Sequence, residues 1–206
     1  YDKDIREPLF DFLEEAYGKL RIIEEKQVGK SRADIVMVLP GLLTGIEIKS
    51  DADSYVRLSR QVKDYDRFFD RNMVVAGSSH AAHVREHVPG WWGIITVEQN
   101  DREIDFYVLR QPQENPMMNW KRKLSLLWRP ELAHIQELTA MPRYKEKSKA
   151  FVIEKILAKV PGEQLSVLVS EELFERDYTR IEEVIRAYKI QNRPELKGRT
   201  GKRRRP

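Results

Sequence analysis

The fold is decided by residues 31–50, which read SRADIVMVLPGLLTGIEIKS. Two apolar runs rich in β-branched residues, Arg32–Leu39 and Leu42–Ser50, are separated only by Pro40-Gly41. Runs of this composition predict strands, and so short a connection predicts that the two strands pair in antiparallel fashion. This pair of strands is the reference point for the rest of the chain.

Three charged residues interrupt the two apolar runs: Asp34 lies in the first, and Glu47 and Lys49 lie in the second. Positions two apart on a strand share a face, so Glu47 and Lys49 project together, and the neighbouring strand can bring Asp34 opposite them. A charge among apolar neighbours is costly unless it is paired or used. Paired carboxylates suit a hard dication such as Mg²⁺ or Mn²⁺, and an adjacent amine can orient a water or stabilise developing negative charge. We therefore predict a catalytic metal site.

The remaining part of residues 1–111 predicts an α/β fold with a mixed central sheet and helices on its faces. Its elements alternate as α-β-β-β-α-β, followed by an extension. Besides the two strands above, we predict helices over 4–20 and 55–70, a short helix over 80–87, and strands over 21–28, 73–76, 91–98 and 103–110, the last two joined by a turn at Asn100-Asp101.

A polar segment with two prolines, Gln111–Pro116, indicates the boundary of this first domain. The pattern beyond it is helical, so we predict an α-helical C-terminal region over residues 112–192. The last stretch, residues 193–206, is basic and poor in apolar residues, which predicts a disordered tail. The candidate helices are 120–128, 130–141, 145–160, 165–174 and 178–190.

Charge is distributed unevenly along the chain. Residues 1–111 hold 16 basic and 20 acidic residues, whereas residues 193–206 hold 7 basic and 1 acidic. Basic segments attract phosphate, although charge runs are often only solvated surface. We expect nucleic acid, with DNA favoured, as the partner, and a homodimer or another protein could also dock on the C-terminal helices. The residues expected to contact nucleic acid are Lys121, Arg122, Lys123, Lys145, Lys147, Lys149, Arg203, Arg204 and Arg205.

The chain contains no cysteine, which excludes disulfides and thiolate metal sites. No apolar run approaches the length that crosses a bilayer, and the first residues lack the apolar segment of a signal peptide. We therefore expect a soluble cytoplasmic protein without a membrane partner.

The pattern of Asp34 followed by Glu47-Ile48-Lys49 on adjacent strands after an N-terminal helix resembles the PD-(D/E)XK nuclease superfamily. Gln61 and Tyr65, at i and i+4 of the following helix, resemble the Gln-x-x-x-Tyr motif of its RecB-like branch. One departure is that Ala33, rather than proline, precedes the aspartate. The resemblance implies a restriction-endonuclease-like αβββαβ core in residues 1–111.

The resemblance also implies roles for individual residues. Asp34, Glu47 and the carbonyl of Ile48 would bind Mg²⁺ or Mn²⁺, Lys49 would be the catalytic lysine, and Gln61 with Tyr65 would support the site. Two further carboxylates are candidate ligands. Glu7 resembles a helix glutamate that completes the metal shell in several branches, although a first-turn glutamate also favours the helix dipole. Glu25, on the first strand, could face the same cleft or remain an exposed strand charge.

These observations predict a metal-dependent phosphodiesterase that hydrolyses nucleic acid, most readily DNA. The alternative is a catalytically silent nucleic-acid-binding or repair-scaffold module on the same fold.

Overall fold

The computed structural model describes residues 2–49, 55–78, 83–99 and 104–177, with isolated positions 183, 186, 187 and 190 beyond them. The elements are α1 (Asp2–Tyr17), β1 (Arg21–Val28), β2 (Ser31–Leu39), β3 (Leu42–Lys49), α2 (Leu58–Phe68), β4 (Arg71–Gly77), β5 (Gly93–Gln99), β6 (Ile104–Arg110), α3 (Trp120–Ser125), α4 (Arg129–Leu138), α5 (Lys149–Lys159) and α6 (Gly162–Phe174). Within these ranges the N-terminal half contains helix α1, strands β1 to β3, helix α2 and strands β4 to β6, and a group of helices follows.

The six strands form a single mixed sheet in chain order, β1 to β6. Strands β1, β2 and β3 make the antiparallel meander that the short turns predict. Helix α2 then returns the chain so that β4 pairs in parallel with β3, and β5 adds in parallel to β4. Strand β6 closes the sheet as an antiparallel edge. The predicted mixed α/β architecture with a helical C-terminal region is confirmed.

Strand alternation divides the core between the two faces of the sheet. One face carries Ile35, Met37 and Ile46, and α1 covers it with the apolar stripe of Ile5, Leu9 and Leu13. The opposite face carries Val36, Val38 and Leu43, and it is covered by α2 and by the C-terminal helices. Asp34, Glu47 and Lys49 follow the alternation of this second face, so the predicted catalytic groups lie on the α2 side.

The C-terminal helices share a core with the sheet. Leu124, Leu132, Ile156 and Val169 belong to the same buried cluster as Val36 and the other residues of that face. The side-chain amide of Asn115 donates 2.8 and 2.7 Å hydrogen bonds to the carbonyls of Asp66 and Phe69, which fixes the segment that enters the helical layer. The helices from Trp120 onward therefore form a layer on the sheet, and a separate domain beginning at residue 112 stays a prediction.

One sequence-based prediction differs from the structure in its extent, and others fall on residues that the structure does not describe. A short helix was expected at 80–87; residues 80–82 lie outside the described ranges, and the described part forms a 3₁₀ turn at Val84–Glu86. Pro89-Gly90 follows so closely that little room remains for α-helical hydrogen bonds. The predicted helix over 178–190 and the tail over 193–206, with Arg203, Arg204 and Arg205, lie outside the continuously described residues, as does the turn at Asn100-Asp101.

No helix within the described ranges is long and apolar enough to cross a membrane.

Lys123 was expected to contact nucleic acid, and the structure corrects this. Its side chain is fully buried, and its ammonium lies 2.7 Å from both carboxylate oxygens of Asp70. Asp70 also accepts a 2.7 Å hydrogen bond from the Leu43 N–H, so the pair ties α3 to the start of β3. Lys121 and Arg122 lie on the exposed side of α3, whereas Lys123 lies on its buried side beside Leu124.

We expect Lys123→Ala to lower the free energy of unfolding by about 3–5 kcal/mol, because it leaves the Asp70 carboxylate without its buried partner. Urea denaturation followed by circular dichroism measures this change. Lys121→Ala is the matched control on the same helix, since Lys121 pairs with Glu154 at 2.9 Å on the exposed surface. Equal destabilisation by the two substitutions would contradict the structural role of Lys123.

Candidate active site

The site begins where strands β2 and β3 stop pairing. The last backbone pair between them is Ile35 with Ile46, and the next opposed positions are Asp34 and Glu47. The Asp34 carboxylate accepts a 2.9 Å hydrogen bond from the Ile48 N–H. The Asp34 carboxylate thus replaces a backbone carbonyl as the acceptor for the Ile48 N–H at the end of the β2–β3 ladder. Both carboxylates lie where the two strands separate.

Glu47 is the most buried acidic group of the site, with 1% of its surface exposed. Its carboxylate accepts a 2.6 Å hydrogen bond from the Tyr65 hydroxyl and another from the Gln61 amide. The Lys49 ammonium lies 2.8 Å from the same carboxylate. A buried charge requires such compensation, and together the three donors fix the orientation of Glu47.

Tyr65 connects the two carboxylate-bearing strands. Its hydroxyl donates to Glu47 on β3 and accepts a 3.1 Å hydrogen bond from the Asp34 N–H on β2. Burial raises the pKa of Tyr65 well above its ordinary value, and the nearby negative charges of Glu47 and Asp34 raise this pKa further. The phenol therefore remains a protonated donor throughout the physiological range.

Gln61 lies one helical turn before Tyr65 on α2, so both side chains reach the same site. Its amide nitrogen donates to Glu47, while its carbonyl oxygen accepts a 3.2 Å hydrogen bond from the Lys49 ammonium. Lys49 is 5% exposed. Gln61 thus holds the carboxylate and the amine of β3 relative to each other.

Gly45 allows α2 to approach β3 closely. A Cβ at this position would lie 2.3 Å from Cδ2 of Phe69 and 2.8 Å from Cδ1 of Tyr65. Any side chain here would push the aromatic rings away from the sheet. The absence of a side chain at Gly45 is therefore what brings the Tyr65 hydroxyl within reach of Glu47.

The turn between β1 and β2 is also held by α2. The Asp64 carboxylate accepts hydrogen bonds from the Lys30 N–H at 3.2 Å and from the Ser31 hydroxyl at 2.7 Å. Gly29 has a φ of +59°, and a Cβ there would meet the Asp64 carboxylate at 2.6 Å. Only glycine suits this position, which fixes the turn beside the site.

A pocket of about 240 Å³ opens over these groups. Five predicted residues line it: Asp34, Glu47, Ile48, Lys49 and Gln61. The structure therefore brings them together, with Tyr65 buried beneath them.

Four basic residues that the sequence interpretation missed also line the pocket: Lys30, Arg32, Arg57 and Arg60. The sequence contains part of the information needed to place them, because Arg57 lies four positions and Arg60 one position before Gln61. Lys30 and Arg32 could be placed there only once the register of the β1–β2 turn was known.

Glu7 does not join this pocket. It is exposed on α1, which packs against the opposite face of the sheet. Its neighbour Arg6 reaches the site edge instead, with its guanidinium 4.0 Å from the Asp34 carboxylate. The expectation that Glu7 supplies a metal ligand is wrong for this conformation, because its helical position points it to solvent.

Glu25 is likewise absent from the pocket lining. Its carboxylate bridges two guanidinium groups, 2.7 Å from Arg6 and 2.5 Å from Arg32. Its backbone adopts a φ of +54°, which interrupts the regular strand and displaces the expected direction of the side chain. Glu25 therefore serves an ion-pair network beside the site, and its predicted role as a metal ligand is corrected.

The residues present fit a hard divalent cation. Among the described residues no group of three or more His, Cys, Asp or Glu side chains is arranged to hold a metal. Mg²⁺ is commonly held by only one or two carboxylates, with water and substrate oxygens completing its shell. Asp34 and Glu47, with the carbonyl of Ile48, offer such oxygen donors, and no histidine among the described residues lines the pocket to favour zinc.

The other residues expected to bind nucleic acid lie on the helical layer. Lys121, Arg122, Lys145 and Lys147 are exposed there, and none of them lines the pocket. Lys149 is only partly exposed, and its ammonium donates a 2.7 Å hydrogen bond to the Ser125 carbonyl. That donation turns the charge of Lys149 toward the protein.

Comparison with known proteins identifies the family. The model of the family described as bacteriophage P4 protein cII matches residues 1–193. The chain belongs to the bacteriophage P4 protein cII family. The matched range includes all the described residues that line the pocket and the helices α3 to α6.

One relative is protein cII of enterobacteria phage P4, which is 28% identical over 101 residues. The match covers 49% of this chain and 38% of that protein, so the chain spans well under half of its relative's length. Among solved structures, SfsA of Pyrococcus furiosus in complex with Ca²⁺ is 16% identical, with a TM-score of 0.34. That match covers 54% of this chain and 62% of the other.

We expect Gly45→Ala to destabilise the protein by about 1–3 kcal/mol, because the new methyl group displaces Tyr65 and Phe69 from the sheet. Gly90→Ala is the control, since a Cβ at Gly90 meets nothing within 4 Å. Thermal unfolding of the two variants beside the parent protein measures the difference. A Gly45→Ala variant as stable as the parent would show that the close packing of α2 on β3 is not required.

Proposed function

We propose that this chain is a metal-dependent nuclease of the PD-(D/E)XK type that hydrolyses phosphodiester bonds, with DNA as its favoured substrate. The observation that carries the proposal is the meeting of Asp34, Glu47, Lys49 and Gln61 in one pocket. Two carboxylates, one amine and one amide from two strands and a helix are the groups that such chemistry needs. The absence of cysteine suits a reducing compartment, and we propose the cytoplasm as the place of action.

The arrangement of elements supports a restriction-endonuclease-like core. Helix α1 precedes the antiparallel meander β1–β2–β3, and α2 then leads into the parallel strand β4. This is the αβββαβ order that the resemblance implies. The two carboxylates sit on its second and third strands, and Gln61 and Tyr65 sit on its second helix.

Asp34, Glu47 and the Ile48 carbonyl would hold Mg²⁺ or Mn²⁺. When bound, such an ion polarises the phosphodiester and lowers the pKa of a coordinated water. The protein supplies the remaining requirements. Lys49 provides a positive charge beside Glu47, where it can orient the attacking water and stabilise the additional negative charge of the transition state.

Gln61 and Tyr65 act on the geometry of these groups. Gln61 accepts a hydrogen bond from Lys49 and donates one to Glu47, so it fixes the separation of the amine and the carboxylate. Tyr65 keeps its proton and holds Glu47 from below. A site held in advance by such contacts needs little reorganisation during the reaction.

A catalytically silent nucleic-acid-binding module is the second candidate. Three donors, from Tyr65, Gln61 and Lys49, already satisfy the Glu47 carboxylate. An arrangement so complete could be retained for structural reasons alone. Cleavage assays distinguish the two candidates.

We expect purified protein to cleave labelled DNA in Mg²⁺ or Mn²⁺ and to be inactive in EDTA. Glu47→Gln and Lys49→Ala should each reduce the cleavage rate by roughly 100-fold or more, since each removes a group that acts on the transition state. Lys121→Ala, an exposed lysine outside the pocket, should cleave at the parental rate. Gel-resolved time courses on single-stranded and duplex DNA measure these rates.

Two results would contradict the proposal. One is a folded parent protein that leaves all these substrates intact in either metal, and the other is cleavage that survives Glu47→Gln unchanged. The first result would favour the silent binding module. The second would place any cleavage in a contaminating enzyme.

A further inference from the structure

The pocket holds more positive charge than the proposed catalytic groups need. Among the described residues, five cations line it, Lys49 and the four basic residues Lys30, Arg32, Arg57 and Arg60, against the two carboxylates Asp34 and Glu47. The net charge of this described lining is therefore +3. Such an excess attracts a polyanion into the pocket.

Three of the four basic residues beside Lys49 are available for a ligand. Lys49 is paired with Glu47, and Arg32 with Glu25. Lys30, Arg57 and Arg60 are exposed, and within the described ranges they make no ion pair. We call these three residues the cation rim.

The cation rim is held in place relative to the catalytic groups. Lys30 belongs to the turn that the Asp64 carboxylate fixes through the Lys30 N–H and the Ser31 hydroxyl. Arg60 is adjacent to Gln61 on α2, and Arg57 ends the 3₁₀ turn that leads into that helix. Helix α2 therefore holds the turn that carries Lys30, begins directly after Arg57, and carries Arg60 beside Gln61 of the pocket.

The depth of the pocket limits what can reach its floor. Glu47 and Lys49 are 1% and 5% exposed, so a reacting phosphodiester must enter the pocket. Duplex DNA is stiff, with a persistence length of about 150 base pairs, and its phosphates lie on the outside of a wide rod. A single strand bends at each nucleotide and can insert one phosphate while its neighbours remain on the rim.

The described lining offers phosphate contacts and no stacking platform for bases. It contains no aromatic side chain. The nearby aromatic residues are engaged elsewhere: Tyr55 stacks on His87 at 4.2 Å, and both Trp91 and Trp92 donate their indole N–H groups to Asp66. Recognition through this pocket therefore depends on the backbone of the nucleic acid and not on its sequence.

We propose that the cation rim of Lys30, Arg57 and Arg60 binds the phosphates that flank the reacting one in a single DNA strand, making single-stranded DNA the preferred substrate. This inference rests on the proposed function, because the pocket floor is taken as the reaction site. It places the main nucleic-acid contacts beside β1, β2 and α2 and away from the exposed lysines of the helical layer.

Binding is tested apart from cleavage by fluorescence anisotropy in EDTA, with a labelled single-stranded oligonucleotide and the same sequence as a duplex. The rim variant carries Lys30→Ser, Arg57→Ser and Arg60→Ser. The matched control carries Lys121→Ser, Arg122→Ser and Lys147→Ser, which removes the same charge from exposed positions outside the pocket. Circular dichroism establishes that both variants are folded.

We expect the parent protein to bind the single strand more tightly than the duplex. Charge density alone favours the duplex, which carries one charge per about 1.7 Å of its axis, so the opposite preference requires the shape of the pocket. The rim variant should bind the single strand roughly tenfold more weakly. The slope of log affinity against log salt concentration should be shallower than that of the parent by about 2 units. Three phosphate contacts are removed, and each contact to a single strand contributes about 0.7 to the slope.

Two results would overturn the inference: tighter binding of the duplex by the parent, or equal losses of affinity in the rim variant and its control. The proposed function fails separately. If the parent cleaves DNA in a Glu47-dependent reaction but the rim variant binds normally, the proposed function stands and the inference about the cation rim is refuted. If the protein binds single strands through the cation rim but never cleaves them, the inference stands and the proposed function is refuted.

Discussion

The structure depends on one buried hydroxyl group. The Tyr65 hydroxyl donates a hydrogen bond to Glu47 on β3 and accepts one from the Asp34 N–H of β2, at the point where the two strands cease to pair. Without this bridge, a buried carboxylate and a backbone donor would each lose a partner, at a cost of about 1–3 kcal/mol per group. The bridge requires α2 to lie close to β3, and Gly45 permits that approach. One small residue thereby links the packing of the core to the geometry of the site.

Much of the fold could be predicted because its signals are local. The two-residue turn at Pro40-Gly41 and the alternation along β2 and β3 specify an antiparallel pair with a definite register. Periodicity also placed Glu47 with Lys49, and Gln61 with Tyr65, since spacings of two and four define shared faces on a strand and a helix. The structure brings these four residues together. Their chemistry remains the proposal that experiments must test.

What could not be predicted depends on contacts between distant segments. Lys121, Arg122 and Lys123 look equivalent in the sequence, and only the packing of α3 against Asp70 shows that Lys123 is buried. Glu7 and Arg6 are neighbours, yet the direction of α1 across the sheet brings the arginine, and not the glutamate, toward Asp34. The basic lining of the pocket likewise arises because a turn and a helix far apart in the chain meet.

The proposed binding of a hard divalent cation by Asp34 and Glu47 is tested most directly by a titration with Mn²⁺ followed by electron paramagnetic resonance. We expect one bound ion for each molecule of the parent protein and loss of that binding in Asp34→Asn. Mn²⁺ that stays free in the presence of the folded parent, or that binds Asp34→Asn equally well, would contradict a metal site at these two carboxylates.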